Sequence, residues 1–198
     1  MTSRDKRPKD RRIEKTRGLL HEALASLIRE KPYDSIVVKE ILDRANVGRS
    51  TFYTHFRDKD DLLVSSIYDM LGPIHSASRP TSGPRCERVL WFSLPVFEHI
   101  DRHRHAGAAQ MGPRGRAILH EHLQQVLVEM VAEAVGRGHQ GRRKPDGRMP
   151  SDLLAQYVAS TFILVLNWWV EGSSPLPPRE VNEVFRALTL PTLAAALE

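Results

Sequence analysis

Three groups of side chains in this sequence have the chemistry of a site. The densest is Asn46–Lys59, NVGRSTFYTHFRDK, where Ser50, Tyr53 and His55 bring a hydroxyl, a phenol and an imidazole into one short segment. The second is a histidine run, His99, His103 and His105, with His120 and His122 further on. His99 and His103 stand one helical turn apart, a spacing at which two imidazoles can share a zinc ion. The third is Cys86, the one cysteine of the chain, with no accompanying motif. Ser50 and His55 lie five positions apart on one helix and do not share a face, so they form no nucleophile–base pair. Around His99 and His103 neither a cysteine nor a well-placed carboxylate completes a metal site, and HIDRHRH reads equally as a solvated helix end. Cys86 reads as a small, partly buried filler. The expectation is therefore a non-enzyme with no catalytic residues, no metal and no cofactor.

The first group has a different logic once it is wound into a helix. At about 100° per residue, Phe52 and Phe56 fall together on one side. Ser50 and Thr54 lie roughly opposite, with Thr51 and Tyr53 beside them and Arg49 and His55 at the flanks. One face is core and the other presents short hydroxyls and donors. Small polar groups of that kind let a helix axis approach base edges in a major groove. Charge points the same way. The chain carries a net +5 over its 198 residues. Met1–Lys59 holds 15 Lys and Arg against 9 Asp and Glu, whereas the remainder holds 14 against 15. A basic first third is the footprint of a phosphate-binding module, although an anionic membrane surface would also suit it.

The elements that must position these residues are helical, since apolar spacing follows the helical period and no β-type alternation persists. Helices are predicted over about Arg11–Glu30, Val38–Arg44 and Arg49–Phe56, with a fourth opening at DKDDLL. Pro32 ends the first, and Asn46 suits the left-handed exit of the second. Asp58 is the expected N-cap of the fourth, with Asp60 and Asp61 in its first turn. Gly72–Pro84 reads as a turn-rich separator, and Gly136–Pro150 as a solvated flexible loop. Further helices are predicted over about Arg85–His105, Arg114–Val135, Ser151–Glu171 and Arg179–Leu197, the last interrupted by Pro191, with a short turn near Ala108–Met111. Met1–Asp10 reads as a mobile basic arm. The N-terminus has no apolar leader, and the longest apolar run, Tyr157–Val170, is broken by Ser160, Thr161 and Asn167. A cytoplasmic protein without a membrane span or disulfide is expected.

A long helix followed by short helix, tight turn and short helix is the helix-turn-helix layout. The stretch RRIEKTRGLLHEALASLIREKPYDSIVVKEILDRANVGRSTFYTHFRDKDDLL resembles the DNA-binding domain of the TetR family of bacterial transcription regulators, over about Arg11–Ile67. The resemblance implies a homodimer on a palindromic operator, with the third helix in the major groove and a C-terminal effector that alters half-site spacing. It implies base-reading or base-proximal roles for Arg49, Ser50, Thr51 and Thr54. Tyr53, His55 and Lys59 become phosphate-positioning, and Lys39 a candidate contact from the second helix. Val37 departs from the family, standing where a Thr or Ser cap is usual. So do Pro32, Asn46 and Gly48, of which Gly48 leaves only a weak cap.

The all-α fold expected is thus an N-terminal three-helix helix-turn-helix domain, residues 11–60, and a larger helical regulatory and dimerisation domain, residues 61–198. In Ser151–Glu171, Leu154, Tyr157, Val158, Thr161, Val165 and Trp168 form one stripe and other apolar residues cover much of the rest. A helix apolar nearly all round is buried on more than one side, here against Arg179–Leu197 and a second subunit. The NWW element and the Pro-rich link after it resemble a dihydroxyacetone-kinase-regulator-like branch. Trp91, Phe92, Phe97, Met111, Leu123 and Trp168 are the candidate lining of a cavity for a small apolar or amphipathic effector, each of them weighed against a plain core role.

Overall fold

The computed structural model describes residues 8–77, 80–107, 110–136, 149–172 and 174–197, and all regular structure among them is helical. In chain order the helices are α1 (Pro8–Glu30), a 3-10 turn (Tyr33–Ser35), α2 (Val38–Ala45), α3 (Arg49–His55), α4 (Lys59–Ser76), α5 (Arg85–Val89), α6 (Ser93–Gly107), α7 (Gly112–Gly136), α8 (Ser151–Glu171) and α9 (Pro178–Leu197). They fall into two compact units. One comprises Met1–Ser66 with Ala109–Leu119, the other Ile67–Ala108 with His120–Glu198.

In the first unit the breaks follow from backbone chemistry. Pro32, at φ −55° and ψ 135°, turns the chain out of α1. Asn46 adopts the expected left-handed conformation, φ 51° and ψ 48°, at the exit of α2. The Asp58 carboxylate accepts the Asp61 N–H at 2.8 Å and caps α4, as its sequence suggested. Leu20, Leu24, Tyr33, Ile41, Phe52 and Phe56 form the core with Leu62 and Leu63, and Met111, just before α7, packs against it with Ile118 and Leu119 of α7.

The second unit is built on an aromatic cluster. Phe92, Phe97, Phe162, Phe185 and Trp169 are fully buried. Phe97 stacks on Phe162 at 4.5 Å between centroids, and Phe162 meets Phe185 edge-on at 5.3 Å. Each such ring contributes about 2–3 kcal/mol through burial. On α8 the buried arc runs through Leu154, Val158, Phe162, Val165 and Trp169, while Trp168 is half-exposed. The expected stripe through Trp168 is therefore rotated, and its neighbour Trp169 is the buried indole, donating its N–H to the Leu176 carbonyl at 2.9 Å. By length and apolarity alone α8 would suffice to cross a membrane. Eight of its side chains are nevertheless buried within this unit.

Several expected boundaries move. The separator expected over Gly72–Pro84 begins later, since α4 continues through Pro73 to Ser76, and residues 77 and 80–84 are non-helical. Gly72 has no Cβ, which removes the side-chain part of the clash that normally drives the residue before a proline out of the helical region. The helix expected over Arg85–His105 is broken at Leu90–Phe92 into α5 and α6. α9 runs uninterrupted through Pro191. Pro191 has no N–H for the Ala187 carbonyl one turn back, and the Tyr157 hydroxyl donates to the next carbonyl, that of Leu188, at 2.8 Å. Pro8–Asp10, expected in the arm, belong to α1. The remainder of the arm, most of the expected loop Gly136–Pro150, and Ala108 lie outside the described residues.

Candidate nucleic-acid interface

The interface is built on α3, and burial sorts its residues cleanly. Phe52 is 0 % and Phe56 3 % exposed, with ring centroids 5.7 Å apart. They fix the helix to the core by one side only. Arg49, Ser50, Thr51, Tyr53 and Thr54 are exposed, as is Lys39 on α2, while His55 is half-buried with its ring 6.3 Å from that of Phe56. The Arg49 guanidinium stands 5.7 Å over the Tyr53 ring, and the Thr54 hydroxyl donates back to the Ser50 carbonyl at 2.9 Å. The surface so presented is two hydroxyls, a returned threonine, a guanidinium and a phenol, all on seven residues of helix.

Two ion pairs hold α2, and so the turn to α3, against the end of α1. Arg44 grips the Glu30 carboxylate with both terminal nitrogens, one at 2.8 Å, and donates to Ser26 at 2.8 Å. The hydrogen bond from Arg44 holds Glu30 below the usual carboxylate range and raises Arg44 above its own. At the other end of α2, Lys31 meets both oxygens of Glu40 at 2.5 and 2.6 Å. Glu40 also accepts the Val37 N–H at 3.0 Å. Val37 lacks the hydroxyl of a usual cap, and Glu40 replaces half of the capping box from three residues downstream.

Lys59 sits differently from the other basic candidates. Its ammonium donates to the carbonyls of Tyr33 at 2.8 Å, Asp34 at 3.2 Å and Ile36 at 2.8 Å, and lies 4.5 Å from the Tyr33 ring centroid. Burial lowers its pKa. The adjacent Asp60 accepts the Tyr33 hydroxyl at 2.5 Å with one oxygen and Arg114 at 2.6 Å with the other. Burial pushes Asp60 up, but the hydrogen bonds from Tyr33 and Arg114 outweigh it and leave the carboxyl below its ordinary range. Tyr33 is pushed far up, by burial first and then by the hydrogen bond to Asp60. Sequence reading saw Asp60 only as a first-turn acid and missed Tyr33 and Arg114, whose partners lie 27 and 54 residues away. No local spacing carries such a signal.

The six candidate effector-lining residues have different surroundings, with Trp91, Phe92 and Phe97 joined through ring contacts, Trp91 meeting Phe92 edge-on at 5.6 Å. Met111 packs on the core of the first unit beside Tyr33 and Gly115. In the second unit Phe92 and Phe97 are closed into the aromatic cluster, Leu123 is buried, Trp91 donates to the Ile74 carbonyl at 3.4 Å, and Trp168 faces outward. An open apolar hollow of about 540 Å³ lies elsewhere, lined by Met149, Pro191, Thr192, Ala195 and Ala196. His99 is half-buried on α6, and the side chains of His103 and His105 lie outside the described residues. Of the downstream pair, His120 is exposed and His122 half-buried on α7.

Comparison with known proteins gives matches in both the N-terminal and the C-terminal parts of the chain. Residues 20–65 match the family model for bacterial regulatory proteins of the TetR family, and residues 90–190 match that of a transcriptional regulator C-terminal region. The chain is 37% identical over 59 residues to the uncharacterized regulator YxbF of Bacillus subtilis, which spans 29% of this chain and 16% of that protein. It is 23% identical over 190 residues to the transcriptional repressor KstR2 of Mycobacterium tuberculosis, covering 90% of this chain and 92% of that one. The fold is shared with the dihydroxyacetone kinase operon activator DhaS, at TM-score 0.57 and 11% identity, over 92% and 96% of the two chains. With a helix-turn-helix surface on one unit, a helical second unit and both family models in order, the chain belongs to the TetR family of transcriptional regulators.

Proposed function

We propose that this regulator is a cytoplasmic homodimeric repressor that binds a palindromic operator and leaves it when a small apolar or amphipathic effector binds. The observation that carries the DNA-binding part is the one-sided burial of α3, which leaves Arg49, Ser50, Thr51 and Thr54 free to meet base edges. Tyr53, His55 and Lys39 flank that face and meet phosphates. Dimerisation rests on exposed apolar side chains aligned along α8 and α9, Leu153, Leu164 and Trp168 on one and Val184 and Leu188 on the other. The effector reading rests on the family and on the apolar second unit, where a ligand would have to part the aromatic cluster or occupy its margin. The domain division at residue 60 belongs to the same proposal.

Selection from a random DNA pool tests this reading. The parent should enrich a two-fold symmetric sequence, with log affinity falling linearly in log salt. Arg49→Ala should lose about 1–3 kcal/mol of discrimination at one base position in each half-site. Enrichment of no sequence sinks the proposal, and unchanged discrimination in Arg49→Ala removes α3 as its reader.

A further inference from the structure

The helix-turn-helix has two ends, and Lys59 joins them. Its entry is the segment Tyr33–Val37 leading into α2. Its exit is Phe56–Asp58, leading from α3 into α4. Lys59 is the first residue of α4, one position beyond that exit, and its ammonium bonds carbonyls of Tyr33, Asp34 and Ile36 at the entry. An ammonium has three N–H donors, and three carbonyls are within reach of them. The first turn of a helix is also the unfavourable end for a cation, because the dipole there is positive. A lysine kept in that turn needs compensation, and the three carbonyls and the Tyr33 ring supply it.

The next residue extends the tie. Asp60 joins Tyr33 to Arg114, and the Tyr33 N–H donates to the Gln110 carbonyl at 2.8 Å. The start of α7 is thereby fastened to the entry of the helix-turn-helix within the same unit. The segment around the start of α7 thus holds the entry through Tyr33 and the first turn of α4 through Asp60.

We propose that Lys59 is a positioning residue that staples the entry of α2 to the exit of α3, that it carries no operator phosphate, and that the Asp60–Arg114 pair completes the staple from α7. The proposal rests on the DNA-binding reading above. A phosphate contact and a staple differ in what they do to the salt dependence of binding. Removing a phosphate contact weakens all sequences alike and flattens the slope by about 0.9 per contact. Loosening a staple misplaces α3, which lowers affinity for the operator and spares non-specific binding. A role in stability alone changes neither binding mode in protein held below its melting temperature.

The experiment compares the full chain with Lys59→Met, which keeps a stem over Tyr33, and with Arg114→Gln. Affinities for a selected operator and for a scrambled duplex are measured over a salt series, with circular dichroism confirming folded protein. Both variants should lower the specific-to-non-specific ratio, by roughly tenfold for Lys59→Met, the worth of one good base contact. Both should keep the parental salt slope. A flattened slope with parallel loss on both duplexes overturns the proposal, and so does an unchanged ratio. A parent that prefers no sequence overturns the DNA-binding reading itself, a result distinct from either.

Discussion

Asp60 is where single-residue chemistry is most exposed to test. Its two oxygens serve different partners, Tyr33 from the turn after α1 and Arg114 from α7. Both donors favour the charged carboxylate, and together they hold its pKa below the ordinary value despite burial. The sign follows directly. The stabilisation is complete above the unfolded aspartate value, about 3.9, and fades as pH falls through the lower, folded value. Asp60→Asn should cost about 1–2 kcal/mol at neutral pH and should remove this part of the decline in acid. Denaturant unfolding of parent and variant between neutral pH and the acid limit checks it. Curves that stay parallel through the acid range would show that Asp60 contributes no pH-dependent stability.

At the scale of elements, two glycines in helices make opposite predictions. A Cβ on Gly18 of α1 would meet nothing within 4 Å, whereas one on Gly115 of α7 would stand 2.6 Å from the Met111 sulfur and 3.1 Å from the Tyr33 ring. Met111 can swing aside, but Tyr33 is fully buried and tied to Asp60. Alanine gains about 1 kcal/mol in either helix interior, and forcing a Cβ into packed surroundings costs about 1–3 kcal/mol. Gly18→Ala should therefore raise the melting temperature and Gly115→Ala lower it. If both rise, α7 does not approach Tyr33 as closely as described. The same contrast explains what the sequence made readable. Phe52 and Phe56 were legible as core because they repeat at helical spacing on one short helix, and Asn46 because few residues tolerate a left-handed exit. The approach of Gly115 to Tyr33 and the pairing of Asp60 with Arg114 depend on segments far apart in the chain. The choice of Trp169 over Trp168 as the buried indole was decided by a rotation of α8 against α6 and α9, which an almost uniformly apolar helix does not encode. Pro73 and Pro191 favour breaks by local sterics, yet α4 and α9 continue through them.

At the scale of the whole molecule, the unfinished surface is on α8 and α9. Leu164 is 65 % exposed and Trp168 49 %, while the opposite side of α8 is closed by the aromatic cluster. An apolar side chain that projects so far contributes little to the fold of one chain, so replacing Leu164 with a charge should leave helicity and the cluster intact. In a proposed homodimer the same position would be covered by the second copy, where an unpaired carboxylate costs several kcal/mol. Leu164→Glu should therefore remain folded by circular dichroism yet sediment as a monomer at concentrations where the parent is dimeric. Its operator affinity should fall more steeply than its affinity for a single half-site, because a palindrome rewards two linked readers. Persistence of the parental dimer in sedimentation would place the subunit interface away from this face of α8. A monomer that still bound the full operator as tightly as the parent would remove the two-fold logic from the proposed mechanism.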